Sequence, residues 1–283
     1  MPRRDHLKNR PAQLAIVAAL LLSACAPTAH TDAVSGGGAD TMLRIGDAAR
    51  DAGDISAAIP IYRRAHALSP LEAGPLLRLA ETLHSVGAYR EAGNAWDRIL
   101  RLDGDNFDAR VGYGETLVAL GQPILGLEQF QLAAEINTSA KMFNGIGVAN
   151  DMLGNPAIAQ AAYRDGLEIT RTVRLLNNLG LSLALSGETE EAIAALEEAG
   201  SLVDADMRHR ANLALAYTVS GITARAAELL ARDMDDVSMM RTIAFYETVT
   251  ALPDHAGKVA AIGAYSSTRS NGAISAQNAR AHR

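Results

Sequence analysis

The chain has 283 residues, of which 48% are hydrophobic, 20% charged and only 4% aromatic. So large an apolar fraction excludes an intrinsically disordered chain, and a single cysteine, Cys25, excludes a disulfide-stapled fold. Only one long apolar run is present, near the N-terminus, which excludes a polytopic membrane protein. The formal net charge is −6, and without a basic excess nucleic acid is not expected as a partner.

The first 24 residues have the pattern of a secretory signal peptide. Three arginines and a lysine fall within the first ten residues, and a nine-residue apolar run follows over residues 14–22. This run is about half as long as a membrane-spanning helix needs to be, and small residues come after it, as in a cleavable signal. The alternative is an N-terminal buried helix, which would carry a polar stripe that this run lacks.

The residues Leu22-Ser23-Ala24-Cys25 resemble the lipobox of bacterial lipoproteins. The resemblance implies that Cys25 receives a diacylglycerol, that the chain is cut before it, and that several acyl chains anchor the protein to a membrane. Ala26 stands where an Asp would resemble the inner-membrane retention signal, so the resemblance implies the outer membrane. The alternative is an incidental cysteine beside an ordinary cleavage site.

The segment after the lipobox is small, polar and rich in glycine, and it includes Gly36-Gly37-Gly38. No Lys-Ser or Lys-Thr pair follows these glycines, so they are not a phosphate-binding loop. Composition of this kind predicts a flexible, lipidated tether over residues 25–38.

The body of the chain, residues 39–234, repeats one motif six times. Glycines recur at spacings of 34, 34, 33, 33 and 34 residues: Gly53, Gly87, Gly121, Gly154, Gly187 and Gly221. A small residue seven positions before each glycine and another five positions after it follow the same irregular spacing. So does a bulky residue nine positions after it: Tyr62, Trp96, Phe130, Tyr163, Leu196 and Leu230. These four sets of equivalent positions, which we call columns, share one irregular spacing, and this indicates structural repeats.

These columns resemble the tetratricopeptide repeat (TPR), a 34-residue hairpin of two helices, A and B. The resemblance implies an all-α fold, an α-solenoid of about six TPR helix hairpins in which each repeat buries its apolar face on its neighbours. The small residues let the two helices approach closely, and the bulky residue fills the space where they diverge. The glycine occupies the turn between the helices, where a positive φ is often required.

The last repeat needs a cap, because its apolar face would otherwise meet water. An apolar stripe predicts such a C-terminal capping helix over residues 235–252, and Pro253 ends it. Residues 253–283 are polar and contain Gly, Ser and Asn, which predicts a mobile tail. Within this tail, residues 259–265 have enough apolar side chains for one or two further helical turns.

No catalytic constellation is visible in the sequence. None of the seven histidines pairs at metal-ligand spacing, and no cysteine joins them. Motifs for a serine nucleophile, a zinc protease or a phosphate loop are missing from the sequence. The sequence therefore predicts a protein that is not an enzyme and needs no cofactor or metal.

Helix A of each TPR lines the inner wall of the superhelix, where polar residues recur. The second residue of helix A is Lys141, Arg174 and Arg208 in repeats four, five and six. The fifth residue is Asn144 in repeat four and Asn177 in repeat five, and the sixth is Asn178 in repeat five and Asn212 in repeat six. The pattern resembles the asparagine ladder of peptide-binding TPR proteins, in which amides pair with a peptide backbone and basic groups hold a carboxylate. The alternative is a set of ordinary solvated positions, with asparagine tying helix A to its neighbour.

Residues 173–187, followed by Glu191-Ala192-Ile193, and residues 210–217 are similar to the TadD family of tight-adherence (Flp) pilus assembly lipoproteins. The resemblance implies a non-catalytic scaffold, lipid-anchored at the periplasmic face of the outer membrane, that binds a component of the pilus secretion machine such as the secretin. Residues 239–246 depart from the family pattern.

The alternative from another class is a general periplasmic peptide-binding chaperone or outer-membrane biogenesis adaptor. An envelope hydrolase has the least support, because the sequence contains no nucleophile–base pair.

Overall fold

The computed structural model describes residues 31–203 and 205–265 of the protein. Within these ranges every regular element is helical and no strand is present. None of the helices in this part of the chain has the length and hydropathy of a membrane-spanning segment. The predicted signal peptide and Cys25 lie outside the described residues.

Six helix hairpins follow one another along the chain, each consisting of a helix A and a helix B. They are α1 (Thr31–Asp51) with α2 (Ile55–Leu68), α3 (Ala73–Ser85) with α4 (Tyr89–Leu102), α5 (Phe107–Ala119) with α6 (Pro123–Ala134), α7 (Ala140–Met152) with α8 (Pro156–Ile169), α9 (Val173–Ser186) with α10 (Thr189–Ser201), and α11 (Met207–Val219) with α12 (Thr223–Leu230). Helix α13 (Asp236–Thr250) and a short helix α14 (residues 255–265) complete the described chain. The predicted all-α solenoid is confirmed.

Local sequence signals set the ends of these helices. Side-chain oxygens cap the N-termini of α2, α5, α7, α9, α11 and α13, which satisfies backbone N–H groups that have no partner inside the helix. Proline begins α6 and α8, where its missing N–H costs nothing. The six glycines of the repeat column have φ between 76° and 87°, so the predicted role of glycine in the A–B turn is confirmed.

The small and bulky columns of the repeat meet in the core. A Cβ added to Gly147 of α7 would lie 2.3 Å from Cε1 of Tyr163 in α8, and one added to Gly114 would lie 2.6 Å from Cε1 of Phe130. Both rings are buried, with at most 1% of their surface exposed. In these two repeats helix A therefore needs glycine where the ring of helix B packs against it, which is the physical reason for pairing a small residue with a bulky one.

Helix α1 begins at Thr31, so residues 31–38 of the predicted tether are helical. This corrects the tether boundary drawn from composition. Ala39 is fully buried, and a Cβ added to Gly38 would lie 3.5 Å from Leu68 Cδ1 of α2. Packing against α2 therefore favours a helix at glycines whose own helix propensity is low. The rest of the tether, residues 25–30, lies outside the described residues.

The predicted mobile tail is corrected over residues 255–265, which form α14. Its N-terminus is capped by Asp254, whose Oδ1 accepts a hydrogen bond from the Gly257 N–H at 2.7 Å. The ring of Tyr265 stacks on Phe245 of α13, with centroids 4.1 Å apart, and Ile262 is 8% exposed. Tertiary contacts thus order a segment that its polar composition alone would leave mobile.

Candidate functional site

The A helices form the inner, concave layer of the solenoid. A helices of adjacent repeats contact each other directly, as α5 does with α7 and α9 with α11. The B helices are joined across repeats by exposed ion pairs instead, such as Arg63–Glu91 at 2.5 Å and Arg164–Glu191 at 3.0 Å. Because the layer of smaller radius brings its members closer together, the A helices are the inner wall.

Three predicted basic residues, Lys141, Arg174 and Arg208, are exposed on consecutive A helices. The Nζ of Lys141 lies 3.1 Å from Oε2 of Glu115 on α5. Within the described part of the chain, neither Arg174 nor Arg208 has a carboxylate partner. Two guanidinium groups in adjacent repeats are therefore available for charge-assisted hydrogen bonds to a carboxylate from outside.

His84, in the last turn of α3, lies within electrostatic range of Lys141 and Arg174 of this strip. Its Nδ1 lies 2.9 Å from Thr116 Oγ1 of α5. Burial lowers the pKa of His84, and the charges of Lys141 and Arg174 lower it further, while Glu115 raises it. The imidazole is therefore neutral at pH 7, and the positive charge of the strip comes from the lysine and the arginines.

The four predicted asparagines hydrogen-bond to one another across repeats. Asn178 Nδ2 donates to Asn144 Oδ1 at 2.8 Å, and Asn212 Nδ2 donates to Asn177 Oδ1 at 3.0 Å. Asn144, Asn177 and Asn212 are only 7%, 6% and 9% exposed. The structure therefore places them in the alternative role, tying helix A to its neighbour. Position in a helix predicts which face an amide is on, but not whether the amide of the next repeat lies within reach.

Removing one of these amides should destabilise the fold. We expect Asn177→Ala to lower the free energy of unfolding by about 1–3 kcal/mol, because Asn212 would be left buried without its acceptor. Asn212→Ala should cost a similar amount, and the double variant less than the sum, because both changes remove one bond. Thermal unfolding followed by circular dichroism measures this. Exposed Asn94→Ala on α4 is the control, and strictly additive costs would contradict the coupling.

A buried carboxylate, Asp151 of α7, joins three other helices on the inner face. Its oxygens accept hydrogen bonds from Tyr163 OH of α8 at 2.9 Å and from Ser182 Oγ of α9 at 2.6 Å. Oδ1 also lies 2.8 Å from Nε2 of His255 on α14. Burial, followed by the neighbouring carboxylate, raises the pKa of Tyr163 well above its usual value, so this hydroxyl remains a donor at physiological pH.

Helix α14 lies against the inner face of the last repeats. Lys258 Nζ donates to the Leu185 carbonyl of α9 at 3.1 Å. Ile262 belongs to a cluster of buried residues that includes Leu185, Leu215 of α11 and Val249 of α13. The C-terminal ends of α7 and α9 are therefore covered by the chain itself, while the basic residues lie in the N-terminal turns of the A helices.

Sequence reasoning did not identify Asp151, and of α14 it identified only residues 259–265 as able to form helical turns. Asp151 stands three residues before a turn glycine, in a column where Val118 and Ala184 are also buried. An acidic residue at a position that is buried in other repeats could have identified Asp151 from the sequence, because a buried charge needs partners. The contact with His255 left no signal, since the two residues are 104 positions apart and unrelated by the repeat.

Three of the described histidines contact protein groups. His255 pairs with Asp151, His84 with Thr116, and His209 Nδ1 lies 3.1 Å from the Asp206 carbonyl. In residues 31–203 and 205–265, no three His, Cys, Asp or Glu side chains form a group that could hold a metal ion.

Comparison with known proteins gives a family match within the solenoid. A model of the tetratricopeptide repeat matches residues 173–202, which are repeat five. A search of curated protein sequences found no relative that matches the chain.

Three solved structures that are similar to the chain are distant from it in sequence. The APC/C hetero-tetramer Cut9-Hcn1 aligns with a TM-score of 0.67 and 19% identity over 74% of this chain, which spans only 42% of that protein. PilW, described as a widely conserved type IV pilus biogenesis factor, aligns with a TM-score of 0.65 and 16% identity over 73% of this chain and 98% of its own. PilF of Pseudomonas aeruginosa aligns with a TM-score of 0.57 and 16% identity over 69% and 90%. At these identities the likeness shows the fold, and the protein is a tetratricopeptide-repeat solenoid.

Proposed function

We propose that this protein is a non-catalytic lipoprotein scaffold of the outer membrane that binds a protein component of a Tad/Flp pilus secretion machine through its concave face. The secretin is one such component. The observation that carries the proposal is the pair of exposed guanidinium groups, Arg174 and Arg208, on adjacent A helices of a preformed solenoid. A rigid wall with charges already in place loses little entropy when it binds a segment of a partner.

The chemistry of the strip defines the partner segment. Lys141 is already paired with Glu115, so Arg174 and Arg208 supply the charge that a ligand would neutralise. The matching segment is acidic or ends in a carboxylate, because guanidinium groups bind carboxylates by paired hydrogen bonds. The asparagines of the same wall bond to each other, which favours recognition of a specific charged segment over sequence-independent capture of peptide backbones.

Pilus assembly is favoured over other scaffold roles by two further observations. Residues 173–187 and 210–217 resemble the TadD family, and the lipobox before a TPR solenoid has the same layout. PilW and the P. aeruginosa protein PilF have the same fold, and the structure of PilW is described as that of a type IV pilus biogenesis factor. Identities of 16% support the pilus assignment only together with the sequence pattern.

Charge reversal on the inner wall tests the proposal. Arg174→Glu with Arg208→Glu should reduce the amount of partner that co-purifies with the lipidated protein from its own envelope by about tenfold at low salt, and less at high salt. The matched control is Arg90→Glu with Arg98→Glu, two exposed residues of helix B in repeat two. Equal losses in both double variants, or none in the first, would contradict binding at this site. A general peptide-binding chaperone would instead retain unrelated extended peptides as well as it retains the partner.

Anchoring through Cys25 is tested separately. In a Gram-negative host, Cys25→Ser should leave an unlipidated precursor that fractionates away from the outer membrane, because the acyl chains that would bury in the bilayer are missing. Metabolic labelling with a radioactive fatty acid and membrane fractionation measure the two effects. A mutant that still matures and sediments with the outer membrane would contradict the anchor.

A further inference from the structure

A cleft of about 420 Å³ lies where repeats five and six meet, among α10, α11 and α12. Its volume falls within the range of about 300–1,000 Å³ that is usual for small-ligand sites. His209 and Arg232 line the cleft with polar groups, and Leu213 and Leu229 line it with apolar side chains. The two arginines of the partner site proposed above do not line it, so the two sites use different residues.

His209 is a polar residue at a position that is apolar in other repeats. The equivalent residues of repeats three, four and five are Ala109, Met142 and Leu175, and each is at most 2% exposed. A Cβ added to Gly200 of α10 would lie only 2.7 Å from Nε2 of His209. Glycine at that position therefore leaves Nε2 uncovered on the side of α10, where a larger residue would close over it.

The Nε2 atom of His209 is a hydrogen-bond acceptor without a protein partner. Nδ1 lies 3.1 Å from the Asp206 carbonyl, which can only accept, so Nδ1 carries the proton and Nε2 of the neutral imidazole has the lone pair. Within the described part of the chain Nε2 has no partner, although His209 is only 7% exposed. It is open to the cleft, because His66 Nδ1 is the only described, fully buried side-chain nitrogen or oxygen without a partner. A polar atom so placed needs a hydrogen bond from outside the protein.

The cleft also has a positive group and an apolar wall. Arg210 is paired with Asp233 at 2.6 Å, whereas exposed Arg232 has no carboxylate partner among the described residues. A free guanidinium binds a carboxylate by paired, charge-assisted hydrogen bonds. Leu213, which is 7% exposed, and half-buried Leu229 supply the apolar surface. A matching ligand therefore combines a carboxylate, a hydrogen-bond donor and an apolar group.

We propose that this cleft binds an apolar α-amino acid residue that has a free carboxylate. The carboxylate binds Arg232, the N–H on the same carbon atom donates to Nε2 of His209, and the side chain packs against Leu213 and Leu229. Such a residue has all three groups on one carbon atom, and it occurs both as a free amino acid and at the C-terminus of a polypeptide. The site adds a ligand to the proposed function and does not depend on it.

Glu197 distinguishes the two sources of this chemistry. It lines the same cleft, and its Oε1 accepts a hydrogen bond from Tyr217 OH at 2.8 Å. A free amino acid has an ammonium group that this carboxylate attracts, whereas the last residue of a polypeptide has a neutral amide. Leucine and N-acetyl-leucine therefore serve as probes of the two sources.

The test titrates each probe into full-length protein with Cys25→Ser, whose histidines carry a nitrogen isotope that is visible by NMR. Binding should shift the Nε2 resonance of His209, which the His209→Leu variant assigns. N-acetyl-leucinamide lacks the carboxylate and N-acetylglycine lacks the side chain, and each should bind about tenfold or more weakly than N-acetyl-leucine. Isocaproate lacks the N–H and should bind about three- to tenfold more weakly.

Three variants of the cleft should reduce probe binding. Gly200→Ala places a methyl group beside Nε2, and His209→Leu restores the apolar residue of the preceding repeat and removes the acceptor. Arg232→Gln removes the charge at an exposed position, so it keeps the test valid if either of the other two fails to fold. Each should weaken N-acetyl-leucine by about tenfold. Arg225→Gln, another exposed arginine of repeat six that does not line the cleft, is the matched control, and thermal melts check that all variants are folded.

Two results would overturn the inference. If neither probe shifts the Nε2 resonance of His209, a bound water alone satisfies this atom. If Arg232→Gln and the Arg225→Gln control bind N-acetyl-leucine equally, the carboxylate is not recognised here. Tighter binding of leucine would support the free amino acid as the ligand, and tighter binding of N-acetyl-leucine would support a chain terminus. None of these results bears on charge reversal at Arg174 and Arg208, so the proposed function is tested independently.

Discussion

Replacing Asp151 by Ala should lower the free energy of unfolding by about 3–5 kcal/mol, the expected size for breaking a buried polar network. The substitution leaves the hydroxyls of Tyr163 and Ser182 buried without their acceptor, and Ser182 is only 1% exposed. It also removes the contact with His255 and leaves a cavity where the carboxylate was. The effect is large because one side chain satisfies groups from three helices, α8, α9 and α14.

Denaturant unfolding of the Asp151→Ala variant measures this cost. Asp151→Asn should be milder, because an amide oxygen still accepts one of the bonds. Glu128→Ala removes an exposed carboxylate from α6 and should change stability by less than about 0.5 kcal/mol. A loss for Asp151→Ala no larger than that of the Glu128 control would contradict the network.

Gly147→Leu should destabilise the solenoid by about 3 kcal/mol, at the upper end of the cost of overpacking a core. A Cβ at this position would lie 2.3 Å from Cε1 of Tyr163, far inside van der Waals contact. The ring cannot swing away without losing its bond to Asp151, and it is 1% exposed. For a chain of this size, such a loss lowers the thermal midpoint by about 6–12 °C.

The control for this substitution is Gly263→Leu on the exposed side of α14. Apart from its neighbours in the chain and the backbone of its own helix, no atom lies within 4 Å of a Cβ added there, so stability should be unchanged or slightly improved. Circular dichroism melts of the two variants separate packing from the general effect of replacing glycine in a helix. Equal midpoints would contradict the pairing of the small and bulky columns.

The repeat columns made the solenoid predictable from the sequence. Gly147 and Tyr163 belong to columns that slip together by one residue, so their contact follows from one repeat and recurs in others, as between Gly114 and Phe130. Local signals, such as the prolines that begin α6 and α8, fixed helix ends in the same way. The repeat of 33 or 34 residues, together with these local signals, therefore predicts the architecture of this protein.

Contacts outside the repeat spacing were not predictable. Asn178 and Asn212 were placed on the inner wall by their positions, but their bonds to Asn144 and Asn177 depend on how closely successive A helices approach. The contact of His255 with Asp151 joins segments 104 residues apart and depends on α14 folding back over the last repeats. Composition predicted mobility there, because it takes no account of a surface on which a weak helix can dock.

The most direct test of partner binding on the concave face is site-specific photocrosslinking in living cells. A photoreactive amino acid at Lys141 or Arg174 on the A helices should give a covalent adduct with the partner, whereas the same amino acid at exposed Asn94 or Ala161 on the B helices should not. Immunoblotting for this protein and mass spectrometry of the shifted band identify the adduct. Adducts from the B-helix positions with none from the A-helix positions would place the partner on the convex face and contradict the account.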